Sequence, residues 1–467
     1  MKRRTFIRNA AIATGAVTVG AGATLYTAVN SKIKGKYEPY ELIKDTKQWS
    51  NWSGNQVCTP KDFLIPKDEA ELISKIKNST EKIRIVGGGH SFSPVVPSND
   101  ILASIKNLKG IISHDPKTNM AKIKAGTRLF DLTPEMAELG YSFINQGDID
   151  KQALAGAVST STHGTGLNLT SFAGMVKGFK LLTANGEIIQ CNENENSELF
   201  WGGTVALGAL GIVTEYDMQL TPKYKLKERQ YLANIDKMLE SFMDHAKKNR
   251  NFEMFPMVYS DKVIVKELNI TDEEIKTLQE PMLSDDILLA LGETLAGGSS
   301  STRVSAMAKI MANFVTETER VDWAHKIYPS TRSLRFNEME YELPMENGVA
   351  CMRELLKFTR EKEFPVFYPL EMRTVKQDDF WMSPFYKQDS ISISLHHAVA
   401  FDYKPFFSAA HEILKKHGGR PHWGKLQYFP ANELRNLYPK YDDFVKLKNE
   451  LDPTKRFAND YINKLFV

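Results

Sequence analysis

Cysteine is scarce in this chain: Cys58, Cys191 and Cys351 are the only three among 467 residues. Three thiols make at most one bridge and leave one free, so no disulfide framework organises the fold. No Cys/His group has metal-ligand spacing, and no metal site is expected. The adjacent pair His396-His397 would point to opposite faces of a strand, which makes a poor chelate. Charge of one sign is also lacking. With 60 basic and 57 acidic residues the net charge is +3, which gives no field to attract nucleic acid. There is no internal repeat and no low-complexity run. A stretch of ~20 strongly apolar residues, as a membrane span requires, is missing as well. What remains is an ordinary globular composition, 42% hydrophobic and 25% charged. The length exceeds what one small core holds, so two domains are expected.

The first thirty residues stand apart from the fold. Lys2-Arg3-Arg4-Thr5-Phe6-Ile7-Arg8 resembles a twin-arginine export signal. Ala10 to Val29 carries no charge but is rich in Ala, Gly and Thr, which suits a signal core. Ala21-Gly22-Ala23 offers a small-residue cleavage site. Export is the expectation, with membrane association through an uncleaved segment as the alternative. The twin-arginine route carries proteins already folded around a cofactor.

Ile83-Arg84-Ile85-Val86-Gly87-Gly88-Gly89-His90-Ser91-Phe92-Ser93-Pro94 is the stretch around which the chain is organised. It reads as the end of a buried strand, then three glycines, then a histidine between small polar residues. Glycine lets a ligand approach the backbone, and consecutive N–H groups in such a turn form a nest for anions. The plain alternative is a tight strand-to-loop turn. A Rossmann site is disfavoured, because the G-x-G-x-x-G spacing is absent and prolines fall where its helix should start.

Ala153-Leu154-Ala155-Gly156-Ala157-Val158-Ser159-Thr160-Ser161-Thr162-His163-Gly164-Thr165-Gly166 is built almost wholly of small residues and hydroxyls. Small side chains let a flat ligand lie against the backbone, and hydroxyls can bond phosphate or ring atoms. Before the glycines, Phe63–Ile65 reads as a strand and Lys67–Ile76 as a helix. Thr133-Pro134 and Gly140 read as the start and end of another helix. Asn185-Gly186 between two apolar runs predicts a hairpin. Residues 270–320 are polar and Met-rich, with Gly297–Ser301 as a loop and no strand assigned. Near the carboxyl terminus, Glu371 and Arg373 would share one face of a strand; the plain alternative is a surface ion pair. Gly418-Gly419-Arg420-Pro421-His422-Trp423-Gly424-Lys425 and Leu451-Asp452-Pro453 follow.

These motifs together resemble the vanillyl-alcohol-oxidase-type flavoproteins, in the branch of aldonolactone and alditol oxidases. The likeness runs over about residues 50–467. It implies an α+β, two-domain flavoprotein: a PCMH-type FAD-binding domain over 50–223, a sheet-and-helix substrate cap over 224–420, and a segment over 421–467 that returns to the FAD domain. It implies that Val86, Gly87, Gly88, Gly89, Ser91 and Phe92 hold the FAD pyrophosphate and that His90 is bonded to the flavin 8α-methyl. Ala157, Ser159, Thr160, Gly164 and Gly166 would line the isoalloxazine and pyrophosphate. His163 would either touch the flavin or be a satisfied buried histidine. Gly211, Ile212 and Val213 would read the adenine side. Glu371 would hold substrate hydroxyls, Arg373 would bind substrate or a flavin oxygen, and Lys425 would stabilise the anionic reduced ring. His396 is a base candidate. The implied reaction is oxidation of a sugar lactone or polyol by FAD, with dioxygen or another acceptor. The strand Ser390–His397 varies among family members, which leaves substrate choice open. An exported binding protein that lost turnover is the competing reading, and the intact Glu371, Arg373 and Lys425 argue against it.

Overall fold

A computed structural model describes residues 48–277, 302, 304–306, 309, 317–330 and 334–467. The proposed export signal and the Gly297–Ser301 loop lie outside the described residues. Among the described residues no helix is long and apolar enough to cross a membrane.

Strands β1 (Asp62–Leu64), β2 (Ile83–Ile85) and β3 (Ile101–Ala103) form a small parallel sheet in the order β1-β3-β2. Helix α1 (Glu69–Lys77) crosses between the first two. Asp68 caps it by accepting from Glu71 N–H at 2.8 Å. Acidic residues at its start and lysines at its end match the helix dipole, while Leu72 and Ile76 bury. A second, antiparallel sheet holds β4 (Ile111–Asp115), β5 (Met120–Lys124), β6 (Val176–Leu182), β7 (Ile188–Asn192) and β8 (Ile212–Gln219) in the order β7-β6-β8-β5-β4. The Asn185-Gly186 turn joins β6 to β7 as the dipeptide predicts, with Leu182 opposite Ile188.

One helix boundary differs from the sequence reading. Helix α2 runs Leu129–Glu138, so Pro134 lies inside it and does not start it. The proline withholds the N–H that would reach Phe130 carbonyl. Leu129, Leu132, Thr133 and Met136 bury on one face at helical spacing, and that packing outweighs one missing hydrogen bond.

The third sheet has eight antiparallel strands: β9 (Lys225–Asn234), β10 (Asn251–Pro256), β11 (Lys262–Thr271), β12 (Thr318–Trp323), β13 (Phe336–Pro344), β14 (Glu371–Val375), β15 (Ser390–Ala398) and β16 (Arg420–Pro421). Their order is β12-β9-β11-β10-β14-β15-β13-β16. One face of its centre is apolar, with Met339, Tyr341, Met372, Ile391 and Ile393 all buried. Helices α3 (Gly348–Glu361) and α4 (Lys404–Lys416) cover that face. At Gly348 a Cβ would stand 2.5 Å from Ile391 side-chain atoms, so the helix seats directly on the sheet.

The carboxyl terminus closes against the first sheet. Ile83 N–H donates to Arg456 carbonyl (2.8 Å), and Asn459 Nδ2 donates to the carbonyls of Pro94 and Pro97 (2.9 Å each). Buried Asp452 turns the chain by accepting from the N–H groups of Arg456 and Phe457. Arg84 completes the closure. Its guanidinium donates to Val95, Leu207, Gly208 and Phe457 carbonyls, from three separate segments. Among the described residues no carboxylate faces it, and burial pushes it down to about 10. Arg84→Leu should leave these carbonyls without donors and destabilise the protein by at least ~3 kcal/mol. The check is the denaturant midpoint; a change under ~0.5 kcal/mol would mean that water replaces the guanidinium.

Candidate active site

The glycine loop begins where the β2 ladder ends. Val86 N–H still donates to Ala103 carbonyl. The N–H groups of Gly87, Gly88, Gly89 and Ser91 then find no acceptor among the described residues, which is the donor array a pyrophosphate needs. Gly88 has no room for a side chain, because a Cβ would stand 2.4 Å from Lys151 carbonyl oxygen. Gly89 takes φ +64, the left-handed region. The loop floors a cleft of about 1210 Å³, counted with its mouth. Ala153, Ala155, Gly156, Ser159 and Thr160 line one side, and Gly208, Gly211, Ile212 and Val213 another. Lys106 and Arg128 bring positive charge to its wall. Free N–H donors, two cations and small or apolar walls fit a flavin dinucleotide.

His90 stands half-buried where this cleft meets a second cavity of about 790 Å³; Ser91, Gln152 and Thr160 also line both. Desolvation first, then Arg128, Lys425 and Lys151, push its imidazole down to about 3. At neutral pH the ring is therefore uncharged and keeps a lone pair.

The second cavity is floored by the polar face of β13, β15 and β14. Alternation along these strands brings Glu338, Glu340 and Glu342 beside His396, Ser394, Ser392, Glu371 and Arg373. Arg373 Nη2 donates to Glu340 Oε1 at 2.5 Å, and Arg373 Nε lies 3.5 Å from Glu371 Oε1. Ser392 Oγ donates to Glu340 Oε1 at 2.6 Å. Lys425 Nζ reaches Glu338 Oε1 at 2.5 Å and Glu340 Oε2 at 3.4 Å. Burial alone would raise Glu340, but Arg373, Lys425 and His163 outweigh it and hold the carboxyl well below its usual range. Burial likewise opposes ionisation of Glu338, yet Lys425 and His396 bring it down to about 2. Glu338, Glu340, Lys425 and Arg373 are thus all ionised and mutually paired.

Residues singled out in the sequence divide between the two cavities. Glu371, Arg373, His396 and Lys425 come from three separate segments into the second cavity. Lys425 is there an ion-paired cation, held by Glu338. His396 Nε2 lies 3.6 Å from Glu338 and 3.8 Å from Glu371. Desolvation would lower its pKa, but these two carboxylates raise it. His397 points to the other face of β15, among Phe401, Phe406 and Phe407. Val86 to Gly89, Ser159, Thr160, Gly211, Ile212 and Val213 line the first cleft. His163 does not; it lines the second cavity with Phe92. Its Nδ1 donates to Gly164 carbonyl (2.8 Å), and Nε2 lies 3.0 Å from Glu340 and 3.4 Å from Glu342. Ala157, Gly164 and Gly166 line neither space. Ala157 is fully buried, a Cβ on Gly164 would meet Gln146 carbonyl oxygen at 2.1 Å, and Gly166 N–H donates to Thr374 carbonyl.

Sequence reasoning missed Glu338, Glu340 and Glu342. The signal was present: "F-N-E-M-E-Y-E-L" alternates glutamate with other residues at strand period. Alternation alone would place those glutamates in solvent, whereas all three are buried. Among the described residues, three groups could bring metal-ligating atoms within 4.8 Å: His163–Glu340–His422, Glu338–Glu371–His396 and Asp148–Glu253–Glu371. In each, a carboxylate is already paired with a chain cation: Arg373, Lys425 and Lys266 respectively.

The family model of D-arabinono-1,4-lactone oxidase matches residues 216–465, and that of an FAD binding domain matches residues 60–192. The L-gulono-1,4-lactone dehydrogenase of Mycobacterium tuberculosis is 31% identical, over 89% of this chain and 98% of that protein. The chain belongs to the D-arabinono-1,4-lactone oxidase family. The L-gulonolactone oxidase of Mus musculus is 25% identical over 90% of this chain and 98% of that protein. The alditol oxidase of a Streptomyces species is 26% identical over 89% and 98%. Among solved structures, cholesterol oxidase from B. sterolicum superposes with TM-score 0.74 at 16% identity, covering 92% of this chain and 99% of that chain. The carbohydrate oxidase of Microdochium nivale gives 0.68 at 14%, covering 94% and 99%. At those identities the likeness shows the fold, that of the vanillyl-alcohol-oxidase-type flavoproteins. This member of the family is an FAD-dependent oxidoreductase acting on sugar-type CH–OH groups.

His163 sets a pH dependence for the site. Burial opposes its charge, but Glu342 and Glu340 outweigh burial and push it up from 6.5 to about 9. A raised imidazole stabilises the fold fully below pH 6.5, and that stabilisation is lost as pH rises towards about 9. His163→Gln should therefore lower thermal stability at pH 6.5 and flatten its decline between pH 6.5 and about 9. Scanning calorimetry of both proteins across that window is the check; parallel curves would assign the decline to another group.

Proposed function

We propose that this protein oxidises an aldono-1,4-lactone of the D-arabinono-1,4-lactone type, with FAD tethered through His90. The observation that carries the reading is the placing of Glu371, Arg373 and Lys425 in one buried cavity, beside a neutral His90 that opens onto the FAD cleft. FAD held by the glycine loop and the walls of the first cleft would supply the two-electron acceptor for the substrate hydride, with dioxygen or another acceptor as the final oxidant. The chain's own residues do the rest. Glu371 accepts hydrogen bonds from substrate hydroxyls. Arg373, held by Glu340, presents fixed donors to a carbonyl or ring oxygen. Lys425 places positive charge where negative charge develops during the transfer. His396 is the group proposed to take the hydroxyl proton. Glu338 and Glu371 favour its imidazolium, so that role requires pH above its raised value. Trp52, Phe92 and Phe336 wall the cavity against water and offer apolar faces to a sugar ring.

The lactone reading is supported by the family model and by relatives named for gulonolactone. The alditol oxidase relative supports a polyol as the second reading. Relatives named both dehydrogenase and oxidase support dioxygen and other acceptors alike. A panel of aldonolactones and alditols, with peroxide detection and with an artificial acceptor, separates these readings. Turnover of alditols alone would overturn the lactone assignment.

Glu371→Gln, Arg373→Lys and Lys425→Met should each bind FAD yet lower the rate of flavin reduction by ~10²–10³ in a single anaerobic turnover. Lysine cannot reproduce the planar two-pronged contact of Arg373. Rates within about twofold of wild type in all three would place the chemistry elsewhere. The tether has its own test. Acid-precipitated protein should keep its flavin absorbance, and His90→Ala should release all of it to the supernatant; release from wild type would refute the bond.

A further inference from the structure

The tether loop is gripped from a direction its motif does not suggest. Residues Asn51–Gln56 form a tight turn between two short strands, Trp49–Ser50 and Val57–Cys58, which pair with each other. Three carbonyls around His90 accept hydrogen bonds from this turn. Trp52 N–H donates to Gly89 carbonyl (2.7 Å), and Asn51 Nδ2 donates to Ser91 carbonyl (3.0 Å). Phe92 carbonyl accepts from Asn55 Nδ2 (3.1 Å) and Gln56 Nε2 (3.0 Å). Asn51 is itself locked, because its Oδ1 accepts from the N–H groups of Gly54 and Gln56. Trp52 then stacks on the imidazole of His90, with ring centroids 5.6 Å apart and planes 25° from parallel. Trp52 is wedged edge-on against Phe336 at 4.9 Å and Phe92 at 6.0 Å. Phe92 N–H and Ser93 Oγ donate to Gly424 and Trp423 carbonyls on the far side. The backbone on both sides of His90 is pinned, and its ring plane is set by an indole.

Such rigidity exceeds what noncovalent cofactor binding asks of a loop whose N–H groups alone meet the pyrophosphate. It matches what bond formation asks. A tether between an imidazole nitrogen and the 8α-methyl carbon requires one ring orientation, held near the attack distance. We propose that the Asn51–Gln56 turn is the template for the His90–flavin bond, with Trp52 and Asn51 as positioning residues. This rests on the tether reading given above. In the net reaction the N–C bond forms as one imidazole N–H and one methyl C–H are broken. The two protons and two electrons released pass to dioxygen, giving hydrogen peroxide. The turn supplies orientation only and gains or loses no atom.

The test separates binding from bond formation. The full chain is produced in riboflavin-starved cells, mixed with FAD in air, and sampled over time. Total bound flavin is measured by ultrafiltration and bonded flavin by acid precipitation. Trp52→Ala and Asn51→Ala should bind FAD within about twofold of wild type but form acid-stable flavin about tenfold or more slowly. Trp52→Phe, which keeps a stacking ring, should recover to within about threefold. Asn55→Ala/Gln56→Ala, at half-buried positions, keeps the test open should Trp52→Ala fail to fold; it too should slow bond formation. If wild type forms no acid-stable flavin, the tether reading fails and the template fails with it. If wild type forms the bond and the folded variants form it equally fast, the template alone is overturned.

Discussion

Glu340 is the group on which the second cavity depends. Arg373, Lys425 and His163 all converge on its carboxylate, in a place with 1% side-chain exposure. Removing this carboxylate would take the nearest partner from Arg373, leaving it Glu371 at 3.5 Å, and one of two from Lys425 and His163. The arrangement is a property of strand register. Glu340 lies opposite Ser394 on β15, which lies opposite Glu371 on β14. A slip by one residue would turn the glutamates towards α3 and α4 and bring Met339 and Tyr341 into the cavity. The apolar packing of the helices on one face therefore keeps the charges aligned on the other.

The cofactor cleft obeys a different constraint. Its floor is a loop with few side chains of its own, so other segments must hold it. The turn at residues 51–56, the Trp423-Gly424 backbone and the guanidinium of Arg84 do so, and the Arg84 anchor also gathers the carboxyl-terminal return at Phe457. His90 sits where this assembly touches the charged sheet. The two cavities consequently share residues: Ser91, Gln152 and Thr160 face both spaces. A shift in the sheet that moved Lys425 would be felt at the loop, because Lys425 follows Gly424, whose carbonyl holds Phe92 N–H.

Much of the local structure was readable from residue type. The strand leading into Gly87-Gly88-Gly89, the Asn185-Gly186 hairpin and helix α1 follow from short-range sterics, turn chemistry and capping. The start of α2 did not, because Pro134 reads as punctuation while buried Leu129 and Leu132 decide the helix. His163 was left open between a flavin contact and a satisfied buried histidine. In the fold its side chain points at Glu340 and Glu342. The strands β12 and β13 were not assigned, and with them went the three glutamates.

By itself the sequence determined the chemistry available: a glycine turn with free donors and a histidine, a bed of small side chains, and Glu371 and Arg373 two apart on a strand. These are consequences of backbone sterics and strand period, which act over a few residues. Only the tertiary structure decided where those groups meet. It brought Lys425 to Glu338, Arg373 to Glu340 and Trp52 to His90, pairs separated by 33 to 87 positions in the numbering. It also turned an alternating glutamate strand inward. Burial of a charge is favourable only when its partner is already there, and no property of either residue alone states where the partner will be.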